Sequence, residues 1–268
     1  MRVRFFGVRG SLSWARTDAM GHGCNTACLD LADAARGARL VLDAGSGIVG
    51  LGHELDGESG RLAIALTHYH WDHVIGLPLL APLFRHGWSA HFWAPELGEP
   101  VRPLVAAVFA PPFFVVPFDE LPAAPTVEGI GPGRHRMGGF DVEALMLHHP
   151  GGALAYRIRG AGGDLVYATD HEIGNPGIDA AFAAFAHGAR ELVLDAQYTP
   201  AELPHYQGWG HSSWAQAAEF AARHGVGRLW LFHHDPTRSD AELDAIVAAA
   251  RAIFPDTEAA REGVAFDV

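Results

Sequence analysis

Three histidines and an aspartate lie within residues 68–73, in the stretch THYHWDH. The stretch follows the apolar run LAIAL at residues 62–66, which is typical of a buried strand. Side chains two residues apart on extended backbone point to the same side, so His68 and His70 can bind one ion together. Asp72 and His73 lie where the chain turns into a helix and can face a second ion. Because so dense a polar cluster is costly unless something binds it, the motif predicts a metal site.

Other side chains that can bind metal follow later apolar runs. The segments are LMLHHP at 145–150, VYATD at 166–170 and LWLFHHD at 229–235. Layered α/β proteins commonly build their active sites from loops at strand ends. These three segments are therefore expected to supply the ligands that THYHWDH lacks.

Short apolar or alternating runs bounded by glycine or polar residues predict the strands that position these loops. The predicted strands cover residues 3–8, 27–31, 39–43, 62–66, 140–147, 154–159, 165–168, 191–194 and 229–232. Two successive sets of strands, each followed by helices, indicate two sheets packed together with helices outside.

Helices are predicted at residues 72–85 and 99–109, although prolines blur their boundaries. Three more are predicted to begin at Thr199, Ser213 and Ser239, each followed three residues later by Glu or Gln as in a capping box. Residues 110–139 are rich in proline and glycine and predict an irregular insertion or lid within a single domain spanning residues 1–268.

Composition limits the class of protein. The chain has 268 residues, 49% of them hydrophobic and 19% charged, which is typical of a globular protein. No apolar run approaches the ~18 to 20 residues of a membrane span. Arginines at positions 2, 4 and 9 interrupt the N-terminal run, so a secretory signal is not expected and a cytoplasmic location is predicted. In that reducing compartment Cys24 and Cys28 are expected to be free thiols.

Charge limits the partners. The net charge is -12 and the chain contains no lysine, which excludes a lysine Schiff base and the lysine of a P-loop. A long nucleic acid is disfavoured because the only basic stretch is GRHRM near Arg134. A small anionic substrate is compatible with this balance.

The ordered set of HxHxDH, a histidine before Pro-Gly, a strand-closing Thr-Asp and a final histidine after a strand resembles the metallo-β-lactamase fold superfamily. The stretches MRVRFFGVRGS, GCNTACL, VLDAGSG and GWGHSSWAQA resemble its phosphodiesterase and ribonuclease Z branch, which includes cyclic-nucleotide phosphodiesterases. The resemblance covers almost the full length. It implies a four-layer αββα sandwich, in which two mixed β-sheets carry helices on their outer faces.

The resemblance also implies a dinuclear centre that holds two divalent ions. One ion would be bound by His68, His70 and His149, the other by Asp72, His73 and His233, with Asp170 bridging them. Zinc suits this imidazole-rich set, and manganese and iron are alternatives.

Four residues near these ligands are expected to act differently. Asp43, at the end of the strand RLVLD, is expected to orient a histidine without touching metal. His148, His171 and His234 each adjoin an implied ligand and are expected to support it or to face solvent. Cys24 is expected to lie away from the metals.

His211 lies in GWGHSS, just before a predicted helix N-terminus that favours anions. A histidine there can bind a phosphate oxygen or protonate a leaving group, and in the resembled branch the histidine of this motif assists phosphodiester cleavage. The expected enzyme is a dinuclear metal-dependent phosphodiesterase in which a metal-bridging hydroxide, oriented in part by Asp72, attacks a small phosphodiester such as a cyclic nucleotide.

Two departures from the family pattern affect the substrate. Gly23-Cys24 replaces the usual paired glycines before Asn25, and no glycine- and lysine-rich arm for transfer RNA is present. The second departure favours a small substrate over RNA processing of the ribonuclease Z kind, which remains an alternative. A thioester or lactone hydrolase would use the same metals and leave His211 dispensable, and a non-catalytic metal-binding protein is a third class. Dimers are common in the resembled branch, so a homodimer is compatible.

Overall fold

Fourteen strands form two seven-stranded sheets in the computed structural model, which describes residues 1–268. The strands are β1 (Arg2–Gly7), β2 (Cys28–Asp33), β3 (Ala38–Leu42), β4 (Gly60–Ala65), β5 (Trp88–Pro95), β6 (Thr126–Ile130), β7 (Gly133–Met137), β8 (Phe140–Leu147), β9 (Ala153–Gly160), β10 (Gly163–Ala168), β11 (Glu191–Asp195), β12 (Arg228–Phe232), β13 (Thr257–Ala259) and β14 (Ala265–Asp267). The helices are α1 (Ile48–Glu54), α2 (Trp71–Val74), α3 (Val101–Ala107), α4 (Pro176–Ala186), α5 (Trp214–Arg223) and α6 (Asp240–Arg251). The strand orders are β14-β1-β2-β3-β4-β5-β6 and β13-β12-β11-β10-β9-β8-β7.

Alternate side chains of the central strands are buried on opposite faces of each sheet. In β3, Leu40 and Leu42 pack between the sheets, whereas Val41 packs beneath the helices of the first sheet. In β12, Trp230 and Phe232 pack between the sheets, and the alternating residues pack under the helices of the second sheet. Three apolar layers therefore join four layers of secondary structure, which confirms the predicted αββα sandwich.

Both sheets contain a parallel core that determines where the loops meet. Strands β3 to β6 are parallel in the first sheet, and β10 to β13 are parallel in the second. Because parallel strands end at the same edge of a sheet, the loops after β3, β4, β10, β11 and β12 lie together.

All nine predicted strands are present, with boundaries that differ by at most two residues. Five strands were not predicted: β5, β6, β7, β13 and β14. The last two have three residues each, too few for a recognisable alternation. Helices α1 and α4 were not predicted either.

Two predicted helices are wrong in extent. The helix at 72–85 ends as α2 at Val74 and continues as two 3₁₀ turns, because Gly76, Pro78 and Pro82 interrupt the α-helical hydrogen bonds. After Thr199 the reciprocal hydrogen bonds with Glu202 form, but only a 3₁₀ turn at Leu203–His205 follows. The capping boxes at Ser213 and Ser239 are confirmed, and they open α5 and α6.

The segment 110–139 is more regular than predicted. Its second half forms β6 at an edge of the first sheet and β7 at an edge of the second. Apart from the short connections at 131–132 and 138–139, only residues 110–125 lack strands. Proline and glycine are concentrated outside these two strands, and that composition hid them. A lid function for the segment stays a prediction.

The two cysteines are buried and unpaired, as predicted. Cys24 Sγ lies 3.7 Å from Met20 Sδ, and Cys24 is not among the side chains whose ligand atoms lie close enough together to hold a metal ion. No helix combines the length and apolar character that crossing a membrane requires.

Phe5 joins the two sheets and provides a test of the core. Its side chain is 0% exposed, and its ring centroid lies 5.3 Å from Trp230 and 6.0 Å from Phe232. Replacing Phe5 by alanine is expected to lower the free energy of unfolding by about 3–5 kcal/mol in urea titrations, because a cavity opens between the sheets. Phe113→Ala is the control, since that ring is 77% exposed. Equal losses in the two variants would contradict this account of the core.

Candidate metal centre

The predicted metal ligands meet at the edge of the sandwich where the parallel strands end. His68 follows β4, Asp170 follows β10, His233 directly follows β12, and His149 follows β8. The structure brings all seven together, although they come from four separate parts of the chain.

One group of ligand atoms belongs to His68, His70, His149 and Asp170, and these atoms all lie within 4.8 Å of one another. Nε2 of His149 faces Nδ1 of His70 at 3.0 Å. His70 is the one exposed member of the group, so the group opens to solvent on its side.

A second group consists of Asp72, His73 and His233, all of them buried. Nε2 of His233 lies 3.1 Å from Oδ2 of Asp72 and 3.3 Å from Nε2 of His73. Asp72 Oδ2 also accepts a hydrogen bond of 2.7 Å from the backbone N–H of Ser11, which fixes the carboxylate.

Asp170 lies between the two groups and turns one carboxylate oxygen to each. Its Oδ1 lies 3.6 Å from Nε2 of His68 and 3.8 Å from Nε2 of His149. Its Oδ2 lies 3.1 Å from Nε2 of His73 and 3.3 Å from Nε2 of His233. This geometry allows one carboxylate to contact two ions at once.

The donors present fit divalent cations. Nε2 of His68 is buried without a hydrogen-bond partner, and pairs of imidazole nitrogens face each other with no other atom between them. Burial, followed by the charge of His73, lowers the pKa of His68 well below its ordinary value, which keeps this ring neutral. Burial raises the pKa of Asp72, but His73 and His233 outweigh burial and lower it, so the carboxylate stays ionised. Neutral imidazoles and ionised carboxylates are the forms that bind metal.

Asp43 supports the second group from behind. Its Oδ2 lies 2.9 Å from Nδ1 of His73 and accepts a hydrogen bond of 2.8 Å from the hydroxyl of Tyr167. Its Oδ1 accepts a hydrogen bond of 2.8 Å from the backbone N–H of Thr67. Asp43 therefore fixes the orientation of His73 and leaves the Nε2 of that ring facing the other ligand atoms.

His211 forms a third group of potential ligand atoms with Asp170 and His233. It is held by Asp195, a residue that the sequence did not predict for the site. Nδ1 of His211 lies 2.7 Å from Oδ2 of Asp195, and its ring stacks on His233 with centroids 4.9 Å apart. Burial alone would lower the pKa of His211, but the charges of Asp195, Asp170 and Asp72 raise it to about 9. The carboxylate of Asp195 therefore favours the protonated form of the ring, whose Nε2–H is a potential proton donor.

A signal for Asp195 was present in the sequence. The pentapeptide LVLDA occurs at 40–44 and again at 192–196. Its aspartate directly follows β3 in the first copy and is the last residue of β11 in the second, and each aspartate contacts a histidine. Gln197, two residues later, was also missed, and its Oε1 lies 2.8 Å from Nδ1 of His233.

Glu172 is a third residue that the sequence analysis missed. Its carboxylate, only 8% exposed, accepts hydrogen bonds of 2.8 Å from the backbone N–H groups of Gly208 and Gly210. The carbonyl oxygen of Gly210 in turn lies 3.0 Å from Nδ1 of His149. Glu172 thus fixes the loop that orients His149.

The three histidines next to predicted ligands, His148, His171 and His234, lie outside all three groups of potential ligand atoms. Nδ1 of His148 lies 3.1 Å from the carbonyl oxygen of Glu172. Nε2 of His234 lies 3.0 Å from the carbonyl oxygen of Ala260, and the ring is buried. His171 is also buried and packs its ring on Phe182. These contacts agree with supporting roles rather than with metal binding.

Backbone in the left-handed region is concentrated at the site. Five non-glycine residues have positive φ, and four of them are Ser11 (61°), Asp43 (60°), Asp170 (55°) and His233 (59°). Such conformations cost free energy for residues that carry a Cβ. Here they turn side chains at strand ends toward the ligand groups.

A family model described as "Beta-lactamase superfamily domain" matches residues 38–234, which is more than half of the chain. The chain therefore belongs to the beta-lactamase superfamily, as the motif order indicated. Its curated relatives include ribonucleases Z, which agrees with the branch that the motifs indicated.

Two curated relatives are ribonucleases Z. The Deinococcus radiodurans protein is 32% identical over 122 residues, which cover 45% of this chain and 37% of that protein. The Bradyrhizobium protein is 26% identical over 275 residues, covering 85% of this chain and 89% of that protein. The match to the first thus spans little more than a third of its length.

Two solved structures share the fold. Zinc-bound PqqB from Methylobacterium extorquens superposes with a TM-score of 0.74 at 16% identity and covers 100% of both chains. A diphosphatase of the PhnP family gives a TM-score of 0.71 at 16% identity, covering 100% of this chain and 97% of that one. At these identities the likeness establishes the architecture alone.

Proposed function

We propose that this protein is a phosphodiesterase that cleaves a small anionic phosphodiester, such as a cyclic nucleotide, with two divalent ions held by the two ligand groups. The observation that carries the proposal is the His211–Asp195 pair beside Asp170. A protonated imidazole at that position is suited to a reaction whose leaving oxygen needs a proton.

The proposed ligands are His68, His70 and His149 for one ion, Asp72, His73 and His233 for the other, and Asp170 for both. Two divalent ions bound there would supply an activated water at neutral pH and neutralise the charge of the phosphodiester. Zinc is the proposed ion because the donor set is rich in imidazole, and the related PqqB structure was obtained with zinc.

Side chains of the protein would donate the proton, orient the attacking water and hold the histidine rings in place. His211 donates its Nε2 proton to the leaving oxygen, while Asp195 holds the ring and stabilises its positive charge. Asp72 is held by Ser11 with one oxygen in the second ligand group, so its carboxylate can help to orient the attacking water. Gln197 and Asp43 fix the rings of His233 and His73 in place.

The proposal that the substrate is small rests on the net charge of the protein. The net charge is -12 and the chain contains no lysine, so electrostatic attraction for a long phosphate backbone is weak. Processing of RNA is the second candidate because both curated relatives reported above are ribonucleases Z. A cytoplasmic location belongs to the same proposal, since two buried cysteines remain unpaired.

Hydrolysis of bis(p-nitrophenyl) phosphate by zinc-loaded and chelator-treated protein tests the proposal. Turnover that requires metal supports phosphodiester chemistry, and cyclic nucleotides and a precursor transfer RNA then separate the two candidates. No turnover by protein that holds two metals would refute the phosphodiesterase assignment, and thioesters and lactones would be assayed next.

Asp43→Asn is expected to weaken zinc binding about 10- to 100-fold, because the amide cannot hold His73 as a carboxylate does. Competition with a chromogenic chelator measures the affinity. Asp33→Asn on the partly exposed end of β2 is the control and should leave zinc affinity unchanged. Unaltered zinc affinity in Asp43→Asn would show that the orientation of His73 does not depend on this contact.

A further inference from the structure

Trp209 is 63% exposed, yet the backbone on both sides of it is fixed. The N–H groups of Gly208 and Gly210 both donate to the buried carboxylate of Glu172. The two glycines have φ of 85° and 90°, which favours glycine at both positions. The indole therefore projects into solvent from a loop that cannot easily move.

A row of aromatic rings connects this indole to His211. Trp209 meets Tyr206 edge to face at 5.5 Å, and Tyr206 stacks on Tyr198 at 4.6 Å with an interplanar angle of 9°. Tyr198 then meets the His211 ring at 5.8 Å. Exposure falls along the row from 63% at Trp209 to 37% at Tyr206 and 3% at Tyr198, so the first two rings offer surface to a ligand.

The loop is also tied to the ligand groups. The carbonyl oxygen of Gly210 lies 3.0 Å from Nδ1 of His149. A Cβ at Gly210 would come within 2.1 Å of that same nitrogen, so the backbone beside Trp209 packs directly against the metal site. The two exposed rings therefore lie at the outer end of a row that reaches His211 through Tyr198, on a loop that contacts His149.

We propose that Trp209 and Tyr206 form a stacking surface for a planar aromatic group, an aryl ring or a nucleobase, on the leaving side of the substrate. This inference rests on the proposed function and narrows its substrate class. Stacking on exposed aromatic rings contributes substantially to binding without selecting one base. Because Tyr206 and Trp209 carry no charge, the phosphate would be bound by the metal site and the ring by these two side chains.

Calorimetric titration with phenyl phosphate and cyclohexyl phosphate tests the surface, since the two monoesters differ in planarity more than in size. Zinc-loaded wild-type protein is expected to bind phenyl phosphate about tenfold more tightly. Trp209→Ala should abolish the preference, and Trp209→Phe should keep most of it. Trp14→Ala is the control, because Trp14 is 51% exposed but already packs against the Arg16 guanidinium at 5.0 Å; it should keep the full preference.

Equal binding of both monoesters by wild-type protein, or an unchanged preference in Trp209→Ala, would overturn the inference. Equal loss of the preference in Trp14→Ala would overturn it too, because the effect would not belong to this surface. Binding does not require turnover, so the two proposals can fail separately. A planar preference without hydrolysis of bis(p-nitrophenyl) phosphate refutes only the phosphodiesterase, whereas hydrolysis without the preference refutes only the surface.

Discussion

Asp170→Asn is expected to lose metal and to lower the hydrolysis rate more than about 10³-fold. Each carboxylate oxygen faces one ligand group, at distances of 3.1 to 3.8 Å from four histidines. Asparagine removes the charge and offers a single oxygen, so neither ion is held as before and several kcal/mol of charge stabilisation is lost. Metal-to-protein ratios after dialysis, measured beside the rate on bis(p-nitrophenyl) phosphate, report both effects.

Asp141→Asn makes the same chemical change on a side chain that is 70% exposed and paired with Arg136. This control should retain its metal and its rate, because an exposed ion pair contributes little to stability. A variant Asp170→Asn that kept two metals and full activity would contradict the placement of this carboxylate between the two ions.

His211→Ala is expected to lower kcat by about 10²- to 10⁴-fold while the metal content stays unchanged, because the ring is proposed to donate a proton and not to bind metal. The defect should grow as the leaving group becomes more basic, since p-nitrophenolate needs a proton less than an alkoxide does. Steady-state rates on p-nitrophenyl and methyl phosphodiesters, with metal content verified, provide the measurement.

Asp195→Asn is the companion variant. The amide can still contact Nδ1 of His211 but cannot stabilise a protonated ring, so we expect a smaller fall in kcat with the same dependence on the leaving group. If His211→Ala lost metal, or slowed both substrates equally, the assignment of His211 as proton donor would be wrong.

Much of the fold could be predicted because its central strands are buried on both faces and leave short apolar runs in the sequence. THYHWDH predicted a metal site for a related reason: charged and polar residues directly after such a run are hard to explain otherwise. The family resemblance then named the distant ligands, and the structure brings His149 and His233 to that edge.

Asp195 and Glu172 could not be predicted in the same way. Both act through residues far along the chain, Asp195 on His211 and Glu172 on the backbone of Gly208 and Gly210. A single sequence records that Asp195 ends a strand, but not which loop packs against that end. The repeated LVLDA marks Asp195 as an aspartate at a strand end. It does not show that this aspartate contacts His211, because that contact forms only when the loop packs against the sheet.

The prediction of a helix after Thr199 was wrong because two local sequence signals opposed each other there. Thr199 and Glu202 form the hydrogen bonds of a capping box, yet Pro204 lies just beyond the first turn and lacks the N–H that would continue the helix. Gly208 and Gly210 take left-handed backbone soon after. Ser213 carries the same signal without a proline behind it, and α5 follows. A capping box therefore predicts where a helix could begin. The residues of the next two turns determine whether the helix forms.

The left-handed backbone at Asp43, Asp170 and His233 constrains how this protein can be engineered. Glycine adopts that conformation without the penalty of about 1 kcal/mol or more that a residue with a Cβ incurs. Selection for thermal stability alone would thus reward glycine at positions where the proposed chemistry needs a carboxylate or an imidazole. A thermostable variant must gain its stability elsewhere, and consensus or library designs should hold these three positions fixed.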